Sequence, residues 1–244
     1  MSVEPKNNSG QTKISADKNA KFFLNEYQSY KESVGSIDTY SSISAVLTEE
    51  LRGINRLLDI GNGGVFDYDT SSIKEIVGLD LFLNDLPKEI QIPSNVRMVQ
   101  GSALDIPKVL NNFDAVVMVM LIHHLVGNTV SDCLENIKKT ISEAYKALRP
   151  GGKLVIMESC VPTWFFQFEK IVFKPASFFI EKSMKHPSTL QYPSSFLLEL
   201  IKEAGFIDTE CKDVPLGKYV LQFGVKVPTW LTPVQPVLFL AQRP

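Results

Sequence analysis

The residue types and spacing best suited to chemistry lie between Leu57 and Asp80. The apolar run Leu57–Ile60 predicts a buried parallel strand, which leads directly into the glycine-rich turn Gly61–Gly64. Such a turn lets the backbone pass close to a ligand, because glycine has no Cβ and accepts positive φ. A second apolar run, Ile76–Leu79, ends in Asp80, an acid about 20 residues after the turn that could accept hydrogen bonds from ribose hydroxyls. The pattern therefore predicts an adenosine-type ligand.

The ligand of this turn is expected to lack phosphate groups. The dinucleotide fingerprint Gly-x-Gly-x-x-Gly needs a last glycine for close packing around a pyrophosphate, but Phe66 stands at that position. Val65, Phe66 and Tyr68 would crowd a diphosphate, and the sequence has no Gly-x-x-x-x-Gly-Lys-Ser/Thr motif to cradle one. An adenosine-type ligand without phosphate fits this turn better.

Histidine is the side chain whose ordinary pKa suits a general base at neutral pH. The chain has three histidines: His123 and His124 follow the apolar run Phe113–Val119, and His186 lies in a later loop segment. All three are candidate catalytic residues. The alternative for the pair is a structural role, as a helix cap or as packing under a ligand, and the alternative for His186 is a solvated loop residue. Glu158 ends another apolar run and could orient a substrate, act as a base or be a plain strand-end acid.

Regular elements must position these side chains. The runs Phe113–Val119 and Lys153–Glu158 predict buried strands. Between them, apolar residues recur at helical spacing from about Thr129 to Leu148, and Arg149–Gly152 bring the proline and glycines that end a helix. A further helix is predicted over Ser194–Ala204, before a glycine stop and the start of another strand.

This series of motifs resembles the class I S-adenosylmethionine-dependent methyltransferases, especially the small-molecule branch with His-His after the fourth strand. The resemblance covers roughly residues 55 to 212. It is most specific at Asp59–Gly63, Phe113–Asp114 and Leu148–Gly152. It implies an α/β fold with a Rossmann-like, doubly wound, seven-stranded sheet that is mostly parallel. The last segment, residues 216–244, is expected to supply an antiparallel edge strand.

The same resemblance implies S-adenosylmethionine as the cofactor. The residues expected to bind it follow the first four strands and are Asp59, Gly61, Asn62, Gly63, Asp80, Leu81, Ser102, Ala103 and Met118. Two positions depart from the family pattern. Val65 stands where the family often has a third glycine, and Ser102 stands where many members have an acid that reaches the adenine amino group. Ser102 can still form a hydrogen bond, but it carries no charge.

The chain is expected to form one domain with two additions to its core. Residues 55–160 and 194–244 would form the methyltransferase core, and residues 1–54 would form an N-terminal helical cap. Residues 161–193 would form a lid above the sheet edge that binds ligands. Both additions are rich in aromatic residues, and Tyr27, Tyr30, Trp164 and Phe165 are predicted to contact the substrate together with Glu158. The alternative is that most of these rings form the core of the cap.

Composition limits the class of function. With 44% hydrophobic residues among 244, the chain can bury one large core, and its net charge of −2 gives no electrostatic footprint for nucleic acid. Its 3 cysteines lack metal-binding spacing and predict reduced thiols in a cytoplasmic protein. No apolar run reaches the ~20 residues that a membrane helix needs. No cluster of acids suited to a hard cation is visible, so no metal is expected.

The expected activity is methyl transfer from S-adenosylmethionine to a small, largely apolar or aromatic metabolite. O-methylation in natural-product biosynthesis is the specific prediction. Two alternatives stay open: a lipid or membrane-associated substrate, and a non-catalytic fold that binds the cofactor and a partner protein. Membrane contact is not expected but is left open, as are the identity of the acceptor, the accepting atom and the formation of a homodimer.

Overall fold

A sheet of seven strands organises the fold. A computed structural model of the protein describes residues 38–83, 90–171, 173, 189–222 and 225–244. Numbered in chain order, the strands are β1 (Arg56–Ile60), β2 (Glu75–Asp80), β3 (Val96–Gln100), β4 (Phe113–Val119), β5 (Leu148–Cys160), β6 (Ile207–Asp213), β7 (Tyr219–Gln222), β8 (Val225–Pro228) and β9 (Gln235–Gln242). The order in the large sheet is β3-β2-β1-β4-β5-β9-β6, and β7 pairs with β8 in a separate hairpin.

The order of the strands reverses between β1 and β4, which are neighbours in the sheet. Strands β1 to β5 pair in parallel, so their carboxyl ends lie at one edge. In an open α/β sheet, ligands bind outside the carboxyl ends where the strand order reverses. The predicted doubly wound, mostly parallel sheet is confirmed, and its topology places the binding region beyond β1, β2 and β4.

The antiparallel strand is present, but its predicted position at the sheet edge is wrong. Strand β9 lies between β5 and β6 and pairs antiparallel with both. Its residues are buried on both faces from Pro236 to Ala241, whereas most positions of β6 are exposed. A continuous apolar run suits an interior strand, and the polar sequence of β6 suits an edge. The sheet therefore ends in β6.

Helices cover both faces of the sheet, as a doubly wound fold requires. The helices with complete boundaries are α1 (Asp38–Glu50), α2 (Val130–Ala147) and α3 (Ser194–Glu203). Helix α1 packs Ile43 and Leu47 against the face that carries Leu57, while α2 and α3 pack against the opposite face with Leu58. A capping box between Thr129 and Asp132 starts α2, one residue inside the predicted range.

Two connections differ from the prediction. Helix α2 ends at Ala147, just before the predicted stop at Arg149–Gly152. Strand β5, however, begins at Leu148 rather than at Lys153 and so includes that stop, with Gly151 at a φ of 75°. In a Rossmann-like fold, the connection from β1 to β2 is expected to contain a helix. Over residues 61–74 it contains no α-helix but one 3-10 turn, Thr70–Ser72. No helix N-terminus stands behind the glycine turn, so this turn lacks the dipole that favours phosphate.

The segment that follows β5 is described in part. Residues 163–171 are helical. The described aromatic residues Phe166, Phe173 and Tyr192 are buried in the main core, which agrees with the alternative that such rings are structural. Trp164, by contrast, is 66% exposed. The predicted first helix of the cap lies outside the described residues, as do Tyr27, Tyr30 and His186. About half of the predicted lid, residues 172 and 174–188, also lies outside them.

Candidate active site

The turn after β1 has the backbone geometry that only glycine adopts readily. Gly61, Gly63 and Gly64 have φ values of 76°, 57° and 77°. The Gly61 amide donates to the Leu79 carbonyl at 2.8 Å, which holds the turn against β2. A Cβ at Gly61 would lie 2.6 Å from Leu121 Cδ1, whereas one at Gly63 would have no neighbour within 4 Å. The turn is thus closely packed on its inner side and accessible on its outer side.

Asp80 joins this turn from the end of β2. One carboxyl oxygen accepts from the Gly63 amide at 2.8 Å, and the other accepts from the Phe82 amide at 2.8 Å. Burial raises the pKa of Asp80, and these two amide donors oppose the shift. A carboxylate has about four lone-pair sites, so each oxygen can still accept a bond from a ligand hydroxyl. The carboxyl is therefore fixed in place and retains capacity for a ribose.

Asp59 lies beneath the glycine turn, and its predicted contact with the cofactor stays a prediction. Its carboxyl is only 2% exposed and accepts a hydrogen bond from the Tyr68 hydroxyl at 2.7 Å. Burial raises its pKa to about 7, although the hydrogen bonds of Tyr68 and Asn62 lower it. Asn62 also accepts from the Gly64 amide at 2.8 Å. The buried Asp59–Tyr68 pair supports the glycine turn from beneath. In the sequence, Tyr68 indicated only a side chain that would crowd a diphosphate.

The other predicted cofactor residues lie in three settings. Leu81 is 40% exposed directly after Asp80, at the open edge of the sheet. Ser102 accepts from the Leu104 amide at 3.1 Å and so closes the turn after β3, next to Ala103. The Met118 side chain is fully buried in the main core. The structure thus brings the residues after β1, β2 and β3 to one edge, while Met118 packs below that edge.

His123 and Glu158 form a hydrogen-bonded pair at this edge. Met120 follows β4 at a φ of 50°, unusual for a residue other than glycine, and a 3-10 turn over Ile122–His124 follows. The turn brings His123 Nδ1 within 2.6 Å of Glu158 Oε1, near the end of β5. Glu158 is fully buried and also accepts from the Ile122 and Ser159 amides, at 2.7 and 2.6 Å. The pair is therefore held rigidly.

The environments of the two described histidines differ. The rings of His123 and His124 lie 4.1 Å apart, but it is His123 that contacts the carboxyl of Glu158. The His123 carbonyl accepts from the Leu190 amide at 3.1 Å, which ties the end of the predicted lid to the site.

Trp164 and Phe165 contact each other with ring centroids 5.5 Å apart. Their predicted role in substrate binding stays a prediction.

Two polar residues of the site were missed in the sequence. Glu169 lies in the helical residues 163–171, and burial raises its pKa to about 7. Gln191 is 9% exposed and donates its backbone amide to Glu169. The available signal was a single acid directly after the aromatic run of residues 164–168, but the spacing along the chain gave no reason to place it in the site.

The geometry fits a nucleoside cofactor that has a neutral ribose and no phosphate. The glycine turn is accessible, Asp80 is fixed beside it, and no helix N-terminus faces it over residues 61–74. His123 and Glu158 provide a polar group at the neighbouring strand ends. The fold and this set of residues define a class I methyltransferase domain.

Comparison with known proteins identifies the same class. A family model described as a methyltransferase domain matches residues 58–156. A demethylmenaquinone methyltransferase of a Geobacillus species is 29% identical over 173 residues, which cover 62% of this chain and 68% of that protein. The demethylmenaquinone methyltransferase of Symbiobacterium thermophilum is 27% identical over 143 residues, or 52% of this chain and 53% of that protein.

Solved structures agree on the fold. A methyltransferase from Thermotoga maritima superposes with a TM-score of 0.58 at 17% identity, covering 93% of this chain and 99% of that one. The N-methyltransferase NodS of Bradyrhizobium japonicum, in complex with S-adenosylhomocysteine, superposes with a TM-score of 0.57 at 13% identity, covering 90% and 99%. Together these findings support a class I S-adenosylmethionine-dependent methyltransferase, with S-adenosylmethionine as its cofactor.

Two further properties bear on the chemistry. Among the described residues, no group of three or more His, Cys, Asp or Glu side chains is arranged to hold a metal ion. A search of the same residues for a helix long and apolar enough to cross a membrane finds none.

Proposed function

We propose that this enzyme methylates a hydroxylated, largely apolar ring, with His123 as the general base. The observation that carries the proposal is the 2.6 Å contact between His123 Nδ1 and the fully buried Glu158. A small-molecule acceptor agrees with the relatives, which are named for demethylmenaquinone. The hydroxyl of the acceptor would lie beyond β4, where the cofactor and His123 meet.

The hydrogen bond to Glu158 selects one tautomer of His123. Because the carboxylate accepts from Nδ1–H, the neutral ring carries its lone pair on Nε2. Nε2 can then take a proton from a ring hydroxyl, and Glu158 stabilises the imidazolium that forms. S-adenosylmethionine supplies an electrophilic methyl group whose departure leaves a neutral thioether. The protein therefore has to position the acceptor and remove one proton.

Loss of the hydroxyl proton leaves two nucleophilic positions, the oxygen and the ring carbon beside it. After transfer to carbon, the ring C–H bond loses its proton and the oxygen regains one, which restores the aromatic ring, so that one proton is released overall. A ubiquinone/menaquinone biosynthesis C-methyltransferase of Syntrophotalea carbinolica is 27% identical over 135 residues, covering 52% of this chain and 53% of that protein. That relationship favours carbon as the accepting atom in this chain. O-methylation in natural-product biosynthesis would use the same base and would differ in the orientation of the ring.

A lipid-borne acceptor is a second candidate. On the helical residues 163–171, Trp164, Phe168 and Ile171 are exposed and lie at helical spacing on one side. Such a row of apolar side chains could rest on a membrane surface. Co-sedimentation with liposomes tests this candidate, with a Trp164→Ser/Phe168→Ser variant as the matched control. Equal sedimentation of the two proteins would argue against it.

The test of the proposed function is an assay with methyl-labelled S-adenosylmethionine and reduced naphthoquinone and naphthol acceptors. NMR of the product would place the methyl group on carbon or oxygen. We expect methylation of carbon, and a fall in kcat of ~10²–10⁴ for His123→Gln with little change in S-adenosylhomocysteine binding. His124→Gln is the matched control and should keep more activity. Cofactor binding without any methylated ring would refute the proposal and support a non-catalytic role.

A further inference from the structure

The site contains a second set of polar atoms that the proposed base does not use. Glu169 Oε2 and Gln191 Oε1 are buried, and neither has a hydrogen-bond partner among the described residues. A buried acceptor without a donor destabilises a protein, so such atoms call for an explanation. The Gln191 oxygen is an acceptor, and so is the Glu169 carboxylate when it is ionised, so a molecule that bonds to both must bring hydrogen-bond donors.

These acceptors lie beside His123. The His123 carbonyl accepts from the Leu190 amide at 3.1 Å, and Gln191 is the next residue. The Gln191 amide in turn donates to the carboxyl of Glu169. Burial raises the pKa of Glu169 to about 7. His123 therefore contacts Glu158 through its ring, and its carbonyl meets the Leu190–Gln191 segment that binds Glu169.

We infer that Glu169 is a specificity-determining residue that binds a second hydroxyl of the acceptor, while His123 takes the proton from the first. This inference rests on the proposed function and narrows its substrate class. A ring with one hydroxyl would leave the Glu169 carboxyl without a donor. A dihydroxylated ring would supply one hydroxyl to His123 and the other to Glu169. The structure thus favours the reduced, diol form of a quinone over a simple phenol.

The helical residues 163–171 follow β5 directly, so they carry Glu169 to the carboxyl edge of the sheet. Phe166 is buried in the main core three residues earlier, which fixes this part of the segment. The carboxyl is consequently presented from a packed element. A fixed acceptor discriminates against an analogue that lacks the matching hydroxyl, because that analogue leaves the acceptor unpaired.

The experiment compares kcat/KM for 1,4-dihydroxynaphthalene and 1-naphthol, which differ by one hydroxyl. Wild type should prefer the diol by at least ~10-fold. Glu169→Gln should lose most of this preference, mainly through a higher KM for the diol. Glu199→Gln is the matched control, since Glu199 is an exposed acid on α3 and should keep the preference.

Each outcome decides the inference. Equal use of the two rings by wild type, or an unchanged preference in Glu169→Gln, would overturn it and leave the proposed function standing. Activity on neither ring would overturn both. The wild-type comparison needs no variant, so a Glu169→Gln protein that fails to fold does not remove the test. Calorimetry with S-adenosylhomocysteine reports whether each variant still forms the cofactor site.

Discussion

Replacement of Glu158 by glutamine should impair both the stability of the fold and the transfer reaction. The Glu158 carboxylate accepts three hydrogen bonds, from the Ile122 amide at 2.7 Å and from Ser159 N and His123 Nδ1 at 2.6 Å each. A glutamine amide has one acceptor oxygen and one donor group. In either orientation, its NH2 group therefore faces at least one of these three donors.

The less costly orientation keeps the amide oxygen toward His123 and Ser159 and turns the nitrogen toward Ile122. It loses one charge-assisted hydrogen bond, worth ~1.5–3 kcal/mol, and leaves two buried donors facing each other. We expect a loss of about 2–4 kcal/mol in the free energy of unfolding. For a chain of this size, that corresponds to a fall in Tm of about 5–15 °C.

Catalysis should fall further than stability alone explains. The negative charge that stabilises a protonated His123 is absent in either orientation of the amide, so kcat should drop by ~10²–10⁴. Differential scanning fluorimetry and the methyl-transfer assay measure the two effects. The control is Glu203→Gln, which removes an exposed ion pair with Lys138 at 3.2 Å and should cost at most ~1 kcal/mol. A Glu158→Gln enzyme with unchanged Tm and kcat would refute the assigned role of the pair.

Three further predictions concern the cofactor end of the site. Asp80→Ala should weaken S-adenosylhomocysteine binding by about 10–100-fold in calorimetry, since charge-assisted bonds are worth ~1.5–3 kcal/mol; unchanged affinity would contradict a ribose contact. Gly61→Ala should lower Tm more than Gly53→Ala, because both have positive φ but only Gly61 has a neighbour, Leu121, within 4 Å of an added Cβ; equal losses would argue against close packing there. The pKa of Asp59 is raised from 3.8 to about 7, so its protonated form favours the fold, and this stability is lost as pH rises from about 4 to about 7. Thermal unfolding should therefore show a smaller loss over that range for Asp59→Asn than for wild type, and parallel curves would contradict a raised pKa.

Much of the fold follows from local patterns in the sequence. The apolar runs of β1, β2 and β4 predict buried parallel strands, and the helical spacing before Arg149 predicts α2 to within a residue or two. The glycine turn and Asp80 were found from the residue types alone, because positive φ and a strand-end acid leave a signature in the sequence.

Other features depend on which strands pair, and local patterns do not determine pairing. The apolar run of β9 identifies a strand, but only the competition between β6 and β9 for a place beside β5 decides which of them forms the edge. Similarly, the glycines after β1 suggest a turn that leads into a helix. The structure forms a loop there, in which Tyr68 covers Asp59.

The candidate base shows the same division most clearly. The sequence by itself determined that three histidines could act and that two of them follow β4. It could not separate His123 from His124, because adjacent residues have the same sequence context. The register between β4 and β5 sets Glu158 near the turn after β4, and the 3-10 turn aims one ring at its carboxyl across 35 residues of chain. Contacts between residues so distant in the sequence arise from the packing of whole strands, which is why only the tertiary structure selected His123.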